Sequence, residues 1–186
     1  MIGLDRLVER QLAWKLNWYR QSELDGSLLL GRMVKFAPDA WTLTHLIEHA
    51  AEEAHHSLLW SEVIQKLALP LIQVQRSYQS FFLLQNRPPA SLLEVLAFTH
   101  VFEKRVHLTF TRELNDPLTP DTARAAYRQM IEDEKGHLGW VAEWLGRRPN
   151  ARQVLNRYEE IDRQVFNFLE PYRDHLWDLE GFGCEL

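Results

Sequence analysis

A helical run from about residue 121 to 145 carries two polar side chains on its apolar face. Reading every third or fourth residue from Ala123 gives a nonpolar stripe, as in an amphipathic helix with one buried face. Glu134 and His137 lie on that stripe, one turn apart. A buried carboxylate costs several kcal/mol unless it is paired or binds a metal. The chain must therefore fold so that other elements bring partners to this face.

Three further runs repeat the pattern. We expect helices from about residue 4 to 33, from 40 to 67 and from 91 to 114, each with an apolar stripe. Asp39 is predicted to cap the second of these helices. The polar residues on the three stripes are Glu23, Glu53 with His56, and Glu103. Each long helix therefore adds a carboxylate to the predicted interior.

The spacing of these residues repeats along the chain. Glu23 and Glu53 are 30 residues apart, and Glu103 and Glu134 are 31 residues apart. The chain thus reads as two helix pairs, each with one lone Glu and one Glu-x-x-His. In the second helix, Glu52 lies on a charged, solvated face, whereas Glu53 lies on the apolar face. Glu53 and His56, rather than Glu52 and His55, are therefore predicted to face the interior.

Residues 69–90 show no clean helical period and end in Arg-Pro-Pro. Fully extended, these 22 residues reach about 70 Å. A helix of about 28 residues is only about 42 Å long. We therefore predict a crossover connection that makes the second and third helices parallel.

The end of the chain is predicted to add a fifth helix. It starts near Ala151, is interrupted near Pro171, and leads to a frayed tail over residues 181–184 that includes Cys184. The prediction is an all-α single domain over residues 1–186. Residues 1–146 form a four-helix bundle, and residues 147–186 form the C-terminal helix and tail.

The set of polar residues resembles that of the ferritin-like superfamily of di-iron and di-manganese carboxylate bundles. In that family two helices give one Glu each, and the other two each give a Glu-x-x-His. The resemblance covers residues 1 to about 146, including the crossover. It implies these metal ligands: Glu23, Glu53, His56, Glu103, Glu134 and His137. Glu52 and Asp133 resemble the groups that accept the second N–H of a ligating histidine.

Five other residues lie close to the predicted ligands in sequence or on the same stripes. Tyr19 and Tyr127 could bond a ligand carboxylate or hold a radical, and core packing is the alternative role that we favour. His49, His100 and His107 could be additional ligands, but we expect core or rim histidines beside the site. The predicted ligand set therefore stays at six.

The donor atoms indicate which metals to expect. Four carboxylates carry about four negative charges, which balance two divalent ions. Oxygen and imidazole donors suit iron and manganese. The single cysteine excludes a Cys-based zinc or iron–sulfur site within one chain. The expected cofactor is two Fe (or Mn) ions with coordination positions open to dioxygen, peroxide or water.

Three functions are compatible with such a chain. The preferred one is an oxidoreductase that oxidises a small-molecule substrate with dioxygen or peroxide, with Phe98, Val101 and Phe102 as possible pocket residues beside Glu103. A four-Cys rubredoxin domain is absent, so the electron donor is expected to be a separate molecule. The alternatives are a ferritin-type ferroxidase and iron store, and a metal-free helical interaction module.

Charge and hydropathy limit the partners. A net charge of -5 and the lack of a basic run argue against nucleic acid. No apolar run reaches the length of a membrane span. Asp5, Glu9 and Arg10 interrupt the N-terminal segment, so we expect no signal peptide and a cytoplasmic protein, as a monomer or homodimer. A solvated helix face or oligomer contact is predicted at Glu159, Glu160, Asp162 and Arg163.

Overall fold

The computed structural model describes residues 2–85 and 88–180, and every regular element in that part of the chain is helical. The α-helices are α1 (Ile2–Met33), α2 (Ala40–Lys66), α3 (Tyr78–Gln85), α4 (Leu92–Asn115), α5 (Asp121–Gly146) and α6 (Ala151–Leu169). Short 3-10 helices follow α1 and α6. The all-α prediction is confirmed for these residues. The predicted frayed tail with Cys184 lies outside them.

Local sequence signals explain where the helices begin and end. The Asp39 carboxylate accepts a hydrogen bond of 2.7 Å from the backbone N–H of Thr42, which confirms the predicted cap of α2. Ser91 caps α4 in the same way through the N–H of Glu94. Helix α6 ends two residues before Pro171, which cannot donate a backbone hydrogen bond.

The four long helices pack side by side with their directions fixed by cross-helix contacts. Ser27 of α1 donates to the carbonyl of Ala50 in α2, and Tyr19 of α1 packs on Trp60 of α2, so these two helices run antiparallel. On α2 and α4, His49 faces Glu103 and Trp60 packs on Phe110, so residue numbers increase in the same direction along both helices. Helix α5 runs opposite to both, since Tyr127 contacts Phe110 near one end and Trp144 contacts Thr42 near the other.

The connection between α2 and α4 packs along the middle of α1. The Asn17 side chain accepts from the N–H of Ile72, and Ser77 donates to Asp25 further along the same helix. The connection therefore starts beside the N-terminal half of α1 and reaches its C-terminal half. Its last part contains the short helix α3, which the sequence pattern did not indicate. Eight residues are too few to show a helical period, and burial of Phe81 and Phe82 stabilises them.

Two hydrophobic clusters divide the interior of the helices. One includes Leu16, Trp60, Phe110 and Met130, and the other includes Leu30, Leu46, Val95, Leu96, Val141 and Leu145. On every long helix, the predicted ligand lies between the residues of one cluster and those of the other. The polar residues are therefore enclosed by apolar packing at both ends.

Helix α6 packs on α4 through a buried carboxylate. Asp162 accepts hydrogen bonds from Arg105 Nε at 3.1 Å and from the Tyr78 hydroxyl at 3.0 Å. Its prediction as a solvated residue is wrong, although its neighbours Glu160 and Arg163 are exposed. The partners lie 57 and 84 residues away in sequence, so helical periodicity could not reveal them.

Within residues 2–85 and 88–180, no helix combines the length and the apolar character that a membrane span requires.

Candidate metal centre

The structure brings all six predicted ligand residues together between α1, α2, α4 and α5, and all six are buried. Together with His49, they form two groups of four residues. Within each group, one potential ligand atom per residue lies within 4.8 Å of the others. The groups are Glu23, Glu53, His56 and Glu134, and His49, Glu53, Glu103 and His137. Glu53 belongs to both groups, so its carboxylate would be available to an ion in either.

His49 lies in the second group, contrary to the expectation that it would pack beside the site. Its Nε2 atom is 2.7 Å from Glu103 Oε1 and 3.3 Å from Glu53 Oε1, and its ring stacks on His137. Trp140 Nε1 donates to His49 Nδ1 at 3.2 Å. A neutral ring that accepts there carries its proton on Nε2 and has no lone pair left for a metal ion, which argues against His49 as a seventh ligand.

The two Glu-x-x-His histidines are held by acidic residues of the opposite helix. Glu52 of α2 lies 2.7 Å from Nε2 of His137 in α5. In return, Asp133 of α5 lies 3.2 Å from Nε2 of His56 in α2. A proton on Nε2 leaves the Nδ1 lone pair of each ring facing the interior, which is the tautomer a metal ligand needs.

Seven side-chain atoms of the cluster that could ligate a metal form no hydrogen bond within the described chain. These buried atoms are His49 Nε2, Glu53 Oε1, His56 Nδ1, both Glu103 carboxylate oxygens, Glu134 Oε2 and His137 Nδ1. Natural proteins satisfy about nine in ten buried polar groups, so such a concentration calls for an explanation. All four glutamates line a void of about 20 Å³. Cations bound beside this void would satisfy the carboxylate oxygens.

Gly26 permits α1 to approach the shared carboxylate. A Cβ atom built on Gly26 would lie 3.0 Å from Glu53 Oε2, closer than ordinary van der Waals contact. A Cβ on Gly31, five residues later in the same helix, would meet nothing within 4 Å. The sequence pattern shows Gly26 on the ligand stripe, but it gives no measure of how close α2 comes. Its role is therefore visible only in the structure.

The negative charges of the clustered carboxylates repel one another. Burial, with repulsion from Glu53, raises the pKa of Glu23 well above its ordinary value, and burial with Glu103 does the same for Glu134. Burial alone would also raise the pKa of Glu53, but the adjacent histidines, His49 first, lower it to about 2. Divalent cations would displace the protons that this crowding retains.

The same carboxylates act on His49. Burial alone would lower its pKa, but Glu103 and Glu53 together raise it to about 9. The hydrogen bond from Trp140, in contrast, requires a neutral His49 ring, because Nδ1 can accept it only without a proton. Cations that balance the carboxylate charge would remove the cause of the increase and favour that neutral form.

The remaining predicted neighbours lie outside the two groups. Tyr19 and Tyr127 pack against each other and on Trp60, with ring centroids 4.9 to 6.2 Å apart. Burial raises the pKa of both tyrosines, so the hydroxyls stay protonated. His100 is also buried, and this burial, with Lys104, lowers its pKa to about 4. Neither His100 nor His107 contributes to either candidate ligand group.

Comparisons of the chain with models of protein families, with curated proteins and with solved structures found no match. The chemistry of the centre is therefore argued from its own residues.

Proposed function

We propose that the protein is an oxidoreductase of the ferritin-like di-metal carboxylate type. Two iron or manganese ions would be held by Glu23, Glu53, His56, Glu103, Glu134 and His137. The observation that carries the proposal is the pair of donor groups that share Glu53. A structural Glu–His network would hydrogen-bond its polar atoms, whereas here seven inward-facing atoms form no hydrogen bond of good geometry, even where His49 Nε2 lies 2.7 Å from Glu103 Oε1.

The donor set fits these metals. Carboxylate oxygens and imidazole nitrogens suit iron and manganese, and a structural zinc site would be rich in thiolates. Ions of this kind supply the electrons or the Lewis acidity with which dioxygen or peroxide is activated. The residues of the chain position and protect the centre: Glu52 and Asp133 orient the two histidines. Phe98 and Phe102 line the void and restrict the access of water.

Substrate oxidation is a better proposal than iron storage because a cavity adjoins the centre. The pocket beside Glu23 is lined mainly by aromatic and aliphatic side chains. An apolar pocket with a few polar groups is typical of a small-molecule site. A storage protein would instead need a path for hydrated iron and a hollow assembly.

Metal content and native mass test the proposal together. We expect about two iron or manganese ions per chain after growth with both metals, in a monomer or dimer. His56→Ala should reduce the metal content, whereas His55→Ala is the matched control because His55 is exposed on the same helix.

Three outcomes would count against the proposal. Equal metal content in the His56→Ala and His55→Ala variants would remove His56 from the ligand set. A chain that takes up no metal would make the carboxylates structural. A large hollow particle with many ions per chain would favour the storage alternative.

A further inference from the structure

A cavity of about 100 Å³ lies between α1, α4 and the end of α6, beside the candidate metal centre. Glu23 and Phe102 line this cavity and also line the void enclosed by the four glutamates. The two spaces therefore share a wall that includes a candidate ligand. A molecule in the cavity would have one end next to the centre.

The walls of the cavity are apolar. Trp18, Tyr19, Phe110, Phe166 and Leu176 supply most of the surface that a ligand would contact. An apolar cavity of about 150 Å³ holds benzene, which has six carbons. By that ratio, the cavity accommodates an apolar group of about four carbons.

The polar part of the cavity wall is mostly cationic, although the chain as a whole is acidic. The charged residues lining it are Lys15, Arg105, Arg112, Arg173, Glu23 and Glu170. Lys15 is committed to a contact of 2.7 Å with Glu113, and Arg105 to its hydrogen bonds with Asp162. The other two cationic residues of the wall are Arg112 and Arg173.

The two remaining guanidinium groups differ in their contacts. Arg173 donates through Nε and Nη2 to Asp174 at 3.4 and 3.3 Å and through Nη1 to Glu170 at 3.4 Å. Arg112 lies 3.6 Å from Glu113 and 4.0 Å from Glu170, beyond the roughly 2.7 to 3.2 Å of a well-formed N–H···O hydrogen bond. The donors of Arg112 are therefore suited to a ligand carboxylate, which arginine binds with two parallel hydrogen bonds.

We propose that this cavity binds a short-chain organic acid as the substrate of the metal centre. The carboxylate of the ligand contacts Arg112, and its apolar tail points along Trp18 and Phe110 towards Glu23. The assignment of this ligand as a substrate rests on the proposed function. The binding itself does not, because Arg112 and the apolar wall belong to neither candidate ligand group.

A second cavity provides an internal comparison. It has a volume of about 290 Å³, is lined by Leu28, Leu29 and Phe98 among others, and also adjoins the void at the glutamates. Its lining has one acidic and one basic residue, Asp25 and Arg32. It therefore offers no preference for an anion, and an acid is expected in the first cavity only.

Binding of pentanoate tests the proposal, with pentanamide as the uncharged ligand of the same shape. Each is titrated into the full chain, with and without iron, and followed by the tryptophan indole signals in NMR spectra. We expect pentanoate to bind at least about threefold more tightly than pentanamide, as one partly exposed charge contact provides. Arg112→Gln should remove that difference, and Arg163→Gln, at an exposed site on α6, should preserve it.

Cavity-filling variants locate the site. Thr109→Trp fills the first cavity and should abolish pentanoate binding, and Leu28→Trp fills the second and should leave it unchanged. Val106→Phe replaces Thr109→Trp if circular dichroism shows that the latter does not fold. Equal affinities for acid and amide, or loss of binding in Leu28→Trp instead, would overturn the proposal.

The two proposals fail in different ways. Pentanoate binding by a chain that takes up no metal would leave the cavity assignment in place and refute the di-metal function. Two bound ions without pentanoate binding would refute the cavity assignment alone.

Discussion

Replacing Glu53 or Glu134 by Gln removes a carboxylate from the same void, yet we expect opposite effects on the stability of the metal-free protein. The histidines around Glu53 lower its pKa from 4.5 to about 2, so the ionised form is stabilised by folding. Burial, with Glu103 and Glu53, raises the pKa of Glu134, so its ionised form is destabilised. The sign of each shift decides the sign of each substitution.

The magnitude follows from the size of the shift. A carboxylate whose pKa is lowered in the folded state contributes stability above its unfolded pKa and loses it as pH falls through the folded value. At pH 7 the contribution of Glu53 is fully present and amounts to roughly 3 kcal/mol for a shift from 4.5 to about 2. Glu53→Gln should therefore destabilise the metal-free chain by up to that amount. Glu134→Gln should leave it equally stable or more stable.

The metal content should also differ between these variants. Glu53 belongs to both donor groups, so Glu53→Gln should lose both ions. Glu134 belongs to one group, so Glu134→Gln should retain about one ion per chain.

Elemental analysis and urea unfolding of the metal-free proteins at pH 7 measure both effects. With a slope of about 2 kcal/mol/M, the midpoint of Glu53→Gln should fall by about 1.5 M. A Glu53→Gln variant that unfolds at the wild-type midpoint, or that binds two ions, would refute the reasoning.

Three further predictions test individual contacts. Alanine at Gly26 or at Gly31 should stabilise α1 by about 0.5–1 kcal/mol through helix propensity. Only Gly26→Ala should weaken metal binding in competition with a chelator, because its Cβ meets the shared carboxylate. The hydrogen bond from Thr42 lowers the pKa of Asp39 below 3.8, so the wild type loses this cap as pH falls through the lowered value. Asp39→Asn should show a smaller decrease in urea midpoint between pH 7 and pH 3. Asp162→Ala should cost about 3 kcal/mol in urea unfolding, because Arg105 loses its buried partner.

Each of these predictions has a result that contradicts it. Equal metal affinity in Gly26→Ala and Gly31→Ala would mean that the Glu53 side chain moves aside without consequence. If the urea midpoint of Asp39→Asn falls between pH 7 and pH 3 as much as that of the wild type, protonation of Asp39 does not contribute to the loss of stability in acid. A loss no greater for Asp162→Ala than for Glu160→Ala, an exposed residue of the same helix, would mean that the buried ion pair does not hold α6 on α4.

The burial of the polar residues of the cluster could be predicted because a charged side chain on an apolar stripe is visible in sequence. Glu53 was distinguished from Glu52 in this way, and the structure shows the first buried and the second exposed. The helix limits were predictable to within a few residues because Asp39 and Pro171 act through local backbone chemistry. Such signals depend only on neighbouring residues.

What the sequence could not reveal depends on distances between helices. His49 joins Glu103 because α2 and α4 run parallel with these residues at the same level, which no spacing along one helix can show. Asp162 finds Arg105 across the α4–α6 interface for the same reason. Gly26 lies on the ligand stripe, but only the separation of α1 and α2 shows why a side chain there would interfere.

The exchange of supporting carboxylates between α2 and α5 makes the two helix hairpins interdependent. Each hairpin contains a Glu-x-x-His, but the acid that orients its histidine belongs to the other hairpin. A chain cut within residues 69–90 would give two fragments, neither with a correctly supported imidazole. Metal affinity would then report the association of the fragments, and a matched pair of halves could serve as a split protein assembled by its own ions.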